Sequence, residues 1–169
     1  MIRSLHDVAM IGRHPKGGDT VRAIVTMVVV MGLAMLVVAP DTPAQGTTAA
    51  IKTQLQTGVF HASELAQRGT VVAASKTHLQ HVMNCLEGPN GPNFVAAVGA
   101  PCQGQGNGII PDLRAAGMAG VRGADRAMIF VQAAHMLILQ ARQSEDVNLV
   151  QPYAIVVSNQ LKLAMAALP

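Results

Sequence analysis

The stretch THLQHVMNCLEG, from Thr77 to Gly88, sets His78, His81 and Cys85 at offsets of three and four. Residues three, four and seven apart share a face of an α-helix, so this spacing puts two imidazoles and a thiol on one side. Imidazole ligates zinc, copper, nickel and iron, and helical bundles build such sites from side chains that point inward from facing helices. Two further histidines qualify by position. His135 has Met128 and Val131 before it and Ile138 and Leu139 after it at helical spacing, and His61 stands three residues before Glu64. The expected metal site draws on His61, His78 and His135, with His81 or Glu64 as an outer ligand. The alternative for each histidine is a hydrogen bond to a carbonyl or hydroxyl, because an unsatisfied buried polar group costs about 1–3 kcal/mol.

Several better-defined chemistries are excluded by spacing. The His78 to His81 pair lacks the H-E-x-x-H arrangement of metalloproteases. His61 to Glu64 reverses the E-x-x-H order of di-iron bundles, and inward carboxylates are too few for such a centre. Covalent haem would need C-x-x-C-H, which the chain lacks. Non-covalent haem with His and Met ligands stays as the second choice of cofactor, since Met83, Met128 and Met136 flank the histidines. The run CQGQGNG follows no strand pattern, so its glycines are read as turn chemistry rather than a phosphate cradle. No nucleophile stands at a recognisable spacing from a base, which disfavours an enzyme; Ser75 and Ser158 read as structural.

These residues must be positioned by helices. Half the chain is hydrophobic but only 2% is aromatic, so the core is aliphatic and helix-forming residues dominate. Four segments show helical periodicity: Thr48 to Arg68, Thr70 to Glu87, Gly123 to Gln143, and Asp146 to Leu168, with Pro152 as a possible kink or late start at Gln151. Their inward stripes read Ile51, Leu55, Val59, Ala62 and Leu65; Val71, Ser75, Val82 and Leu86; Ala124, Met128, Val131, His135, Ile138 and Leu139; and Val150, Ala154, Val157, Leu161 and Ala164. The short links RGT and QSED make two antiparallel hairpins. The fold class expected is all-α, an up-and-down four-helix bundle. Between its second and third helices lies a long Gly/Pro-rich loop, Gly88 to Gly120, closed by a Cys85–Cys102 disulfide. Pro111 onward adds a turn or two of helix capped by Asp112, and Asn84 and Glu87 hydrogen-bond within the loop.

The N-terminus bears on location. Ile24 to Ala39 is a run of sixteen uncharged residues preceded by Arg3, Arg13, Lys16 and Arg22, and followed by DTPAQG with Thr42 and Ala44 at the −3 and −1 positions. This describes a secretory signal over residues 1–44, cleaved after Ala44, with the bundle domain at 45–169. An uncleaved anchor is the alternative, since a spanning helix wants about 20 residues. His6 and His14 then belong to the removed segment. Of the twelve basic and nine acidic residues, four and three fall in the first 44, so the remaining 125 carry net +2. Scattered basic residues without aromatic neighbours give no nucleic-acid footprint. Export favours pairing of the two cysteines over thiolate ligation.

The functional expectation is an exported protein, periplasmic or secreted, or membrane-anchored and facing outside if the signal stays. It binds a transition metal, copper, zinc, nickel or iron, through inward histidines for storage, delivery or sensing. Such binding should weaken below about pH 6 as imidazole protonates. The alternative is a cofactor-free structural or interaction bundle of the cell envelope, whose loop around Phe94 docks another exported protein, or which forms a homo-oligomer.

Overall fold

The structure is a computed structural model and describes residues 47–169. The expected export signal, its apolar run, His6 and His14 lie outside the described residues. Helix α1, Thr48–Phe60, begins where the Thr47 hydroxyl accepts the Ala50 N–H at 3.2 Å, which satisfies one of the unpaired donors of a helix start. It runs on into a π-helical turn over His61–Leu65, closed by the Ala66 N–H on the His61 carbonyl at 3.0 Å. Helix α2 spans Val72–Glu87 and stops at Gly88, whose φ of +70° suits glycine. A 3₁₀ turn at Ala96–Val98 interrupts the following loop. Helices α3 (Ile109–Met118), α4 (Ala124–Ala141) and α5 (Val147–Ala167) complete the chain. The described residues are thus all-helical, with five helices and no strand, and none of these helices is long and apolar enough to cross a membrane.

One expected feature comes out differently. The second half of the stretch read as a loop is α3, a ten-residue helix rather than one or two turns. Ile109, Leu113 and Ala116 give it a buried face at helical spacing, and Asp112 lies buried within its first turn instead of capping it. The last helix, α5, starts where the segment from Asp146 places it and not at the alternative Gln151: the Asp146 carboxylate accepts the Asn148 N–H at 2.9 Å and caps it there. Pro152 is accommodated within the helix on its exposed side, where water can take over the carbonyl that proline leaves without a donor.

Apolar burial follows the helical period. Val150, Ala154, Val157, Leu161 and Ala164 are all fully buried, which matches the stripe read from spacing in α5. The stripe of α4 is turned toward its alanines: Ala127, Ala134 and Ala141 are buried beside Val131 and Ile138, whereas Met128 and Leu139 are only partly covered. Such small side chains let α4 and α5 pack closely, and these two make the most extensive contact among the described helices. In α2 the buried row is Leu79, Val82, Met83 and Leu86 with Ser75; Val71 is 58% exposed because it precedes the helix in extended conformation, φ −121°.

The loop from Gly88 to Gly108 is held at both ends. Gly88 and Gly108 meet back to back, so closely that a Cβ on Gly108 would lie 2.6 Å from the Gly88 nitrogen, and φ of +117° at Gly108 also demands glycine. The sulfurs of Cys85 and Cys102 stand 2.03 Å apart, a disulfide distance. Asp112 anchors the far end, accepting Gln54 Nε2–H at 2.8 Å, the Asn107 backbone N–H at 3.1 Å and Asn107 Nδ2–H at 3.1 Å. Replacing Asp112 by Ala strands these donors in a buried site. The variant Asp112→Ala should therefore lose about 2 kcal/mol of stability in urea denaturation, and an unchanged midpoint would show that the carboxylate holds nothing.

Candidate metal centre

His61 continues the path of α1, with φ −63°, ψ −38° and its N–H on the Thr57 carbonyl. The π-helical turn over His61–Leu65 starts from it and shifts the register only of the residues that follow. His61 comes to face the middle of α2, where His78 and His81 lie one turn apart. One ring nitrogen from each of the three lies within 4.8 Å of the others. The ring centroids of His61 and His81 are 4.8 Å apart and cross at 77°, and those of His78 and His81 are 5.5 Å apart at 63°. All three side chains are half-buried.

The protonation pattern can be reasoned from partners. His81 Nε2 meets the Val98 carbonyl of the 3₁₀ turn. A carbonyl only accepts, so Nε2 must carry the proton and the neutral ring presents its lone pair at Nδ1. That lone pair stands 3.3 Å from His61 Nδ1. In the metal-free protein His61 Nδ1–H donates to it. Two nitrogens at zinc-bonding distance in tetrahedral geometry are themselves about 3.3 Å apart, so the same separation suits a shared ion. Donation of the outward ring N–H to a backbone carbonyl is also how metal-ligating histidines are oriented. His78 Nδ1 is buried and has no hydrogen-bond partner among the described residues.

Burial and crowding keep His61 and His78 neutral. Burial lowers the His61 pKa from 6.5 to about 4, with His81 and His78 adding repulsion. Burial also lowers His78, again with His81 contributing. Unprotonated imidazole is the form that ligates a metal, so crowding preserves ligand capacity into acidic solution.

The remaining expected ligands lie elsewhere. His135 Nε2 donates to Glu87 Oε1 at 2.6 Å, far along α2 from His78 and His81. Glu87 also accepts the Asn93 backbone N–H at 2.6 Å and Asn93 Nδ2–H at 2.7 Å. Burial pushes the Glu87 carboxyl up, but the hydrogen bonds from His135 and Asn93 outweigh it and hold the pKa below the usual value. Glu64 pairs with Arg68 at 2.8 Å, one turn on, and does not join the three histidines. Of the flanking methionines, Met83 is fully buried and Met136 is 57% exposed. Cys85 is within disulfide distance of Cys102 and no free cysteine is present among the described residues.

One component carries no sequence signal. The Val98 carbonyl that orients His81 is a backbone atom, placed by Asn84, whose Nδ2 donates to Val95 O at 2.9 Å and Gly99 O at 2.6 Å. Asn84 can be read from sequence as a loop-bonding residue; which carbonyl it brings to His81 cannot.

The lowered histidine pKa values have a consequence for stability. Below pH 6.5 the unfolded chain takes up protons at His61 that the folded protein refuses until about pH 4, so folding weakens as pH falls through that window. Above pH 6.5 this contribution is complete. Metal-free protein should unfold at progressively lower urea between pH 7 and pH 4.5, with a shallower decline in His61→Gln. Equal slopes in the two proteins would remove His61 as the cause. The chain matches no protein-family model, no curated protein and no solved structure.

Proposed function

We propose that His61, His78 and His81 bind one transition-metal ion, and that the protein stores, delivers or senses that metal after export. The observation that carries this reading is the 3.3 Å approach of His81 Nδ1 to His61 Nδ1, with the opposite nitrogen of His81 tied to a carbonyl. Hydrogen-bonded histidine pairs can look alike, but here a third imidazole stands within 4.8 Å and carries a buried nitrogen without a partner. Closing a 4.8 Å separation to the tetrahedral edge needs a movement of about 1.5 Å, within reach of side-chain rotation.

An all-imidazole donor set suits zinc, copper and nickel better than calcium or magnesium, which want oxygen. Binding requires His61 to carry its ring proton on Nε2 instead of Nδ1, a change of tautomer that leaves the imidazole neutral and releases no proton. Three protein ligands leave a fourth position for water or a donor from another molecule, as exchange in storage or delivery demands. Iron and haem are the lesser members of the proposal, since the group contains neither a carboxylate nor a thioether. Proton competition at His61 and His78 begins below the ordinary imidazole range, so binding should persist somewhat below the pH 6 limit of unperturbed histidine.

The proposal includes the location and the finer architecture. The signal at residues 1–44 directs export, the four longer helices form an up-and-down bundle, and the cysteine pair is oxidised to close the loop. A second reading, an interaction bundle of the cell envelope, is favoured by a separate observation. Leu149, Val156 and Leu163 recur every seven residues on α5 and are each about half exposed, at 55%, 42% and 47%.

The test is calorimetric titration of zinc and copper into exported protein purified without a His-tag or chelator. One ion per chain is expected. His61→Ala, His78→Ala and His81→Ala should each weaken binding by about 100-fold, at or above the upper end of what loss of an outer-shell partner does. His135→Ala and Glu64→Ala should bind as the parent does. Undiminished binding in the His78→Ala/His81→Ala double variant would sink the proposal.

A further inference from the structure

An open groove of about 400 Å³ adjoins the three imidazoles, between the end of α1 with its π-helical turn and the first half of α2. His78 belongs to both: it is one of the three clustered ligands, and it lines the groove together with Phe60, Glu64 and Arg68. Along α2 the groove extends from His78 back to Ala74. On the His81 side the loop closes the cluster, with the Val98 carbonyl on His81 Nε2 and Gly99 packed so near that a Cβ there would lie 3.5 Å from the same nitrogen. The groove thus offers an outside donor a path to the cluster.

Charge decides what that donor is. Imidazole ligates in its neutral form, so three histidines bring no negative charge and a bound dication keeps its full charge in a half-buried site. Such a charge is costly unless it is paired. Glu64 cannot do this, because it is held by Arg68 at 2.8 Å, and the two cancel within the groove. Groove and cluster together are therefore neutral without metal and doubly positive with it. An anion is favoured only in the second state. Among anions, a carboxylate suits both positive partners, since its oxygens ligate zinc and match the planar fork of a guanidinium. Arg68 is free to take it: one guanidinium nitrogen meets one oxygen of Glu64, four of the five N–H donors remain, and an exposed pair of this kind exchanges partner at little cost.

We propose that the fourth position of the bound metal takes the carboxylate of a small organic acid, which lies in the groove and pairs with Arg68. The inference rests on the metal reading above and names the outside donor in it. Metal and acid are then interdependent, each raising the affinity of the other. A carboxylate-bearing carrier of the metal is the partner that this arrangement fits.

Cobalt(II) is the probe, because its visible absorption reports the number and kind of its ligands. Exported protein is loaded with cobalt in a non-coordinating buffer near neutral pH and titrated with acetate and with succinate. At least one of the two acids should change the spectrum saturably, and calorimetry should find neither bound to metal-free protein. The side chains of Arg68 and Glu64 are 78% and 44% exposed, so substitution leaves the core intact. Arg68→Gln should weaken the acid about tenfold, whereas Glu64→Gln, which removes the competing carboxylate, should tighten it. An ion pair that serves only structure would move both variants the same way. A cobalt spectrum indifferent to both acids, with water alone in the fourth position, overturns the inference and leaves the metal reading standing. So does an acid response that Arg68→Gln leaves unchanged, or one that both variants shift alike. Failure of both cobalt and zinc to bind removes the metal reading and this inference together.

Discussion

Four hydrogen bonds converge on the carboxamide of Asn84, a buried side chain in the last full turn of α2. Its Oδ1 accepts the Val95 N–H and Gln80 Nε2–H, each at 2.9 Å, while its Nδ2 donates to the Val95 and Gly99 carbonyls. A fully satisfied buried amide is both stabilising and directional, since each bond fails if the loop shifts by even one ångström or so. This one side chain sets the path of the 3₁₀ turn. The turn in turn brings Val98 O to His81. The imidazole cluster thus rests on a loop position that a single residue of α2 fixes.

The three histidines illustrate a conflict that folding alone does not explain. Placing three imidazoles within a few ångströms, half-buried, depresses the basicity of His61 and His78 and leaves a nitrogen of His78 without a partner. An apolar residue at position 78 would avoid that cost. Unresolved local costs of this kind collect at functional sites, where a ligand completes what the chain leaves open. His135 and Glu87 show the opposite case: each partner satisfies the other, and the pair joins α4 to the end of α2 and, through Asn93, to the start of the loop.

Much of the helical framework was legible. The four long periodic segments correspond to α1 with its π-helical turn, α2, α4 and α5, because burial repeats every three to four residues wherever a helix covers a core. The helix ends at Asp146 and Gly88, where the periodic segments begin and stop, were legible for the same local reason: the chemistry of a helix end involves only its neighbours. Less was legible where neighbours in space decide. Helix α3 hid in a Gly/Pro-rich stretch, since Ile109, Leu113 and Ala116 form a short face whose burial depends on what packs against it. His135 shares the apolar spacing of a core residue, yet it sits at the edge of the α4 stripe, where Glu87 meets it.

From sequence alone came the helical class, the helix-end signals and the pool of metal-ligating side chains, all of which follow from spacing along one chain. Which imidazoles meet was decided by tertiary structure. His78 and His81 were neighbours by their three-residue offset, but His61 joined them only through the packing of α1 against α2, and Glu64 and His135 were drawn off by Arg68 and Glu87. The physical reason is range. A helix is specified by bonds four residues apart, whereas the position of an imidazole relative to another helix depends on the register and crossing of both, and on a loop carbonyl that no side-chain pattern encodes.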